Sequence, residues 1–186
     1  MNTKAIALTI AFAAVTVVLN PRFSGIAIPS FVPTLWFQVW EIAVVAAFFL
    51  LGVKSAGIVA VLNTIVLLAV APGTPFNEPL ANLIAILSTL VGVYVAYKLL
   101  DLRKSQETPI SRRKLVLYST ALGVISRLAI MLPYLYIAAS LLGMSLVIAL
   151  LPLLAIYDLI VALYTVPLGY LIASAVNRYF KLNSKI

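Results

Sequence analysis

The stretch "SRLAIMLPYLY", Ser126–Tyr136, places an arginine inside an oily run. That run, Leu115–Leu142, contains no other charge and exceeds the roughly 20 apolar residues a helix needs to cross hydrocarbon. A charge at that depth costs at least about 2.5–3.5 kcal/mol. Arg127 therefore needs either a partner or a task, and the rest of the chain has to supply it.

Composition agrees that the solvent is lipid. Of the 186 residues 64% are hydrophobic and 10% charged, against about 25% charged in a soluble domain. So little polar surface cannot clothe a water-soluble globule, and the chain reads as an integral membrane protein. Cysteine and histidine are both absent. Their absence excludes disulfides, a thiolate nucleophile, a Ser–His dyad and an HExxH zinc site. No GxxxxGK[ST] phosphate loop is present either. We expect no enzyme, no cofactor and no metal. A Glu41/Asp158 carboxylate pair is the one acid chemistry left to a membrane enzyme.

Six apolar segments predict an all-α, polytopic bundle of six transmembrane helices forming one domain, residues 1–186. They are Lys4–Leu19, Thr34–Leu51, Ser55–Ala71, Pro79–Leu100, Leu115–Leu142 and Pro152–Tyr179. Lys4 with the apolar residues after it also fits a secretory leader, but five further spans favour a retained first helix. "GMSLVIAL", before the sixth segment, is too short to span. The loop "NPRFSGIAIPSFVP" after the first segment suits either a lid or a re-entrant packed turn.

Basic residues orient the bundle. With both termini in the cytoplasm, the inner regions hold Lys4, Lys54, Lys98, Arg103, Lys104, Arg112, Arg113, Lys114, Arg178, Lys181 and Lys185, including a loop at 101–114. Only Arg22 falls outside. The net charge of +8 is thus topological, and no nucleic-acid partner is expected. The location is the cell membrane, multi-pass, with lipid as the surrounding partner.

Three intramembrane charges remain: Glu41, Arg127 and Asp158. Both acids are expected in one layer of the outer half. Helical spacing groups Arg127, Met131 and Tyr134 on one face and places Tyr157 beside Asp158. Trp36 and Trp40 are one helical turn apart, and Asn82 lies near the start of the fourth helix. Side chains lean toward their helix N-terminus, so the acids lean outward and Arg127 inward, which argues against a simple Arg127–Asp158 pair. Aromatic groups with a few placed polar ones suit a small-molecule site. The candidate binding residues are Trp36, Trp40, Glu41, Asn82, Arg127, Tyr134, Tyr157 and Asp158. The alternative is structural: the charges hold the bundle together.

Two runs carry a family resemblance. "LLGVKSAGIVAVLNTIVLLAVAPGTP", Leu50–Pro75, joins two helices through a glycine, a lysine and a second glycine. "LANLIAILSTLVGVYVAYKL", Leu80–Leu99, is an asparagine-headed apolar run ending in Tyr-Lys. With the six-helix layout and the Ala7/Ala11 pair of the first helix, they resemble the substrate-binding (S) components of energy-coupling factor transporters, most closely the riboflavin type. The resemblance implies a vitamin-capturing subunit that binds solute in its outer half. It also implies docking through Ala7 and Ala11 onto a transmembrane coupling subunit driven by ATPase subunits. Riboflavin-type members tend to have Pro-x-Asn-x-x-Lys at the start of the sixth helix. Here "PLLAIYD", Pro152–Asp158, has Leu154 and Tyr157 in the Asn and Lys places. An acid there favours a solute with donor or cationic groups, or a different vitamin.

Overall fold

The computed structural model describes residues 3–25, 27–32, 35–70, 79–103 and 112–180. Expectations placed on Ala71, Lys181, Lys185 and loop residues 104–111 lie outside them. The described residues form α1 (Thr3–Leu19), α2 (Pro21–Ser24), α3 (Glu41–Leu51), α4 (Val53–Val70), α5 (Pro79–Arg103), α6 (Arg112–Leu141), α7 (Ser145–Ala149) and α8 (Leu151–Phe180). No strand occurs among them, only an isolated antiparallel bridge between Pro29 and Trp36. The protein is helical and membrane-type. Four helices, α4, α5, α6 and α8, are long and apolar enough to cross a bilayer.

The second expected span is the main correction. Only its latter part, Glu41–Leu51, is helical. Eleven residues make a helix of about 16 Å, half the roughly 30 Å of hydrocarbon. The chain before it runs as a hairpin: Phe37 N–H donates to Ile28 O at 2.9 Å and Ser30 N–H to Leu35 O at 3.0 Å. Despite its length α3 is the centre of the bundle. Every residue from Glu41 to Leu50 is buried, and α1, α4, α5 and α8 pack around it. A helix that is apolar on all sides is either enclosed by protein or surrounded by lipid, and α3 is enclosed.

Close approaches of backbone fix the packing. Gly52 turns the chain from α3 into α4 at φ 93° and ψ 176°, a region nearly restricted to glycine. On α5, Gly92 lies against the α6 backbone: a Cβ there would meet Leu122 O at 2.1 Å. The two helices therefore touch main chain to main chain, and α5 and α6 form the most extensive helix pair in the protein.

Candidate functional site

Glu41 opens α3, in the first turn, where the helix end carries partial positive charge that favours a carboxylate. Arg127 lies midway along α6, and Asp158 lies two turns into α8. All three converge. Arg127 Nη1 donates to Glu41 Oε2 at 2.6 Å and Nη2 to Glu41 Oε1 at 3.1 Å. Arg127 Nε donates to Asp158 Oδ1 at 2.7 Å. From α5, Thr89 Oγ1 accepts from Nη1 at 3.3 Å while donating to Ala85 O at 3.0 Å. Four helices thus meet on one guanidinium, and Arg127, Glu41, Asp158 and Thr89 are all buried.

The inward lean of Arg127 does not prevent its pairing with Asp158. The planar fork of the guanidinium serves two acids at once, bidentate to one and single to the other. With both acids ionised the group carries one net negative charge, two carboxylates against one guanidinium.

A cavity of about 400 Å³ opens beside this cluster, within the size range of small-molecule sites. Arg22, Arg127 and Asp158 are its charged lining residues, with Asn82, Trp36, Gln38 and Tyr157 as further polar or aromatic groups. Met131 and Leu135 of α6 and Val147 of α7 supply apolar surface. Near Trp36, the Arg22 guanidinium stacks 5.4 Å from the indole ring.

The hairpin covers the neighbouring face of α8. Val32 packs with Tyr157 and Val161, joined by Leu35 and Phe37. Phe37 stacks on Tyr157 with ring centroids 6.0 Å apart. Tyr157 Oη donates to Trp36 O at 2.6 Å. The first loop is thus a packed cover fastened to α8 by the Tyr157–Trp36 hydrogen bond and an aromatic cluster.

The structure distributes the eight candidate residues unevenly. Trp36, Asn82, Arg127, Tyr157 and Asp158 line the cavity. Glu41 does not; it lies behind Arg127 as its main partner. Trp40 is fully buried in the core, its Nε1 donating to Gln38. It is not one helical turn from Trp36, because Trp36 belongs to the extended hairpin. Tyr134 does not line the cavity either. The wall formed by α6 runs through Met131, Leu135, Ala138 and Leu142, a stripe whose centre is turned away from Tyr134.

Sequence reasoning missed Thr89, Gln38 and the α6–α7 wall. Thr89 had a readable signal: it is seven residues beyond Asn82, on the same face of α5. Gln38 had none, since its position depends on the hairpin. Comparison of the chain with protein-family models, with curated proteins and with solved structures returns no match.

Proposed function

We propose that this chain is a membrane-embedded solute-binding subunit of an energy-coupled importer, a six-span bundle with both termini cytoplasmic. One observation carries the reading. A cavity of about 400 Å³, walled by the hairpin and by α5, α6 and α8, ends on a charged group held by four helices. A solute seated there contacts most of the fold at once, which is how binding is transmitted to the rest of a bundle.

Asp158, the one carboxylate among the described residues lining the cavity, favours a solute presenting a cationic or hydrogen-bond-donor group to it. Arg127 has its Nε, Nη1 and Nη2 donors engaged by protein acceptors, so it offers little to an anion. A flavin is the first candidate through the family resemblance, and its ring N3–H and ribityl hydroxyls meet the donor requirement. Energy has to come from partner subunits, because the sequence holds no phosphate loop. The face of α1 bearing Ala7 and Ala11 is exposed, with Ile10 and Val18 more than 60% exposed beside it. It is the surface we assign to a transmembrane coupling subunit.

A second reading rests on the same cluster. An Arg127 with four of its five N–H donors engaged by protein acceptors also suits a purely structural staple between helices, and the chain is then an assembly protein without a ligand. The two separate cleanly. The chain is purified in detergent, and the small molecules released on denaturation are identified by absorbance and mass. Near-stoichiometric release of one compound supports the binding subunit and names its solute. An empty protein whose melting temperature does not move across a panel of vitamins leaves the structural reading.

A further inference from the structure

A second cavity, of about 410 Å³, lies at the opposite end of the bundle, between the start of α6 and the end of α8. Arg112 and Arg178 reach it from different helices, and Ser174 and Asn177 add polar groups. Both arginines are exposed, and neither forms an ion pair among the described residues. No carboxylate is among the described residues lining the cavity. Two guanidinium groups facing one cavity repel each other, and an anion between them relieves that repulsion.

Helix length fixes the depth. With 30 residues each, α6 and α8 are about 45 Å long, matching a bilayer of about 40–45 Å with its headgroups. Arg112 is the first residue of α6, and Arg178 is in the last turn of α8. Both therefore stand at headgroup level. Leu171 and Ala175, also lining the cavity and exposed, lie one to two turns deeper, at the level of acyl chains. Lys54, Lys98, Arg113 and Lys114 are exposed at the same end and add attraction for an anionic surface.

The geometry points to a phosphate-binding site for an anionic phospholipid: the phosphate sits between Arg112 and Arg178, and the acyl chains run along Leu171 and Ala175. Arginine suits this role because its planar donors match phosphate oxygens in pairs. The site is independent of the solute cavity and of what that cavity binds.

The test is native mass spectrometry of the full chain from micelles containing equal phosphatidylglycerol and phosphatidylcholine. The expected result is about tenfold more phosphatidylglycerol adducts than phosphatidylcholine adducts on the native chain. R112Q/R178Q removes that preference, whereas K114Q, which lies outside the cavity, keeps it. If the double variant does not fold, R178Q and R178K replace it: the first reduces adducts several-fold and the second retains them. A parallel arm adds inorganic phosphate to lipid-free protein at constant ionic strength. Stabilisation equal to that given by phosphatidylglycerol supports the phosphate site and identifies its source as soluble. Equal adducts of both lipids, or adducts unchanged in R112Q/R178Q and R178Q, overturn the proposal.

Discussion

Arg127 and Glu41 stand 86 residues apart in sequence and meet through two hydrogen bonds, with both side chains buried. With Asp158 on the remaining edge of the guanidinium, the two substitutions that probe this cluster are unequal. R127M strands two buried carboxylates and is expected to cost about 3–5 kcal/mol. D158N leaves a neutral Arg–Glu pair behind and is expected to cost no more than about half as much. Thermal unfolding in detergent, followed by tryptophan fluorescence, ranks them. A D158N variant as unstable as R127M contradicts the charge count.

Asn82 separates binding from stability. It lines the cavity, is half-buried, and takes no part in the Arg127 cluster. In the binding-subunit reading, N82L weakens the affinity for the co-purified solute about tenfold and leaves the melting temperature nearly unchanged. Isothermal titration of the emptied protein checks it.

The hairpin cover is expected to loosen in Y157F. That substitution removes the Tyr157–Trp36 hydrogen bond and keeps the aromatic stack. A single such bond contributes about 1 kcal/mol. Amide exchange across residues 28–37 should accelerate about fivefold while exchange in α5 and α6 stays unchanged. Uniform acceleration throughout the bundle shows instead that Tyr157 stabilises the fold as a whole.

Two glycines differ in what they face. A Cβ on Gly92 meets the Leu122 carbonyl oxygen of the main chain, and one on Gly169 meets the Val45 side chain at 2.7 Å. Val45 Cβ at 2.8 Å and Ala46 N at 3.1 Å also crowd Gly169, but the 2.1 Å approach at Gly92 is the closer and its nearest atoms are all main chain. G169A is expected to cost about 1–3 kcal/mol as ordinary overpacking, and G92A more, by separating α5 from α6. Comparing the expression and melting temperature of both variants tests the order.

Much of the helical frame was legible because lipid imposes long apolar runs and because their ends are punctuated. Asn20-Pro21 closes α1 and Gly52 closes α3 at the places the sequence marks. The start of α3 was not legible. "TLWFQVW" is apolar and aromatic, continuous with the helix, and short runs of that kind suit a strand or a helix equally. Its aromatic residues, together with Pro29 and Pro33 just before it, were the sign of extended chain. From that one shift follow the misplacement of Trp40 and the missed role of Gln38. The meeting of Arg127 with both acids was hidden for another reason. Lean rules describe the first bond of a side chain, whereas a guanidinium ends several bonds further out and can reach either way. Tyr134 was assigned by counting from Arg127 alone, and the stripe that α6 turns to the cavity is centred nearer Met131 and Leu135.

The short helix α7 has no buried residue of its own, yet Met144 and Val147 in and beside it form part of the cavity wall. This stretch therefore carries little of the load of the bundle. In the binding-subunit reading, substitutions there reshape which solute fits while the Arg127 cluster and the α5–α6 contact stay intact, so that a lineage can exchange one solute for another by editing a few residues around α7.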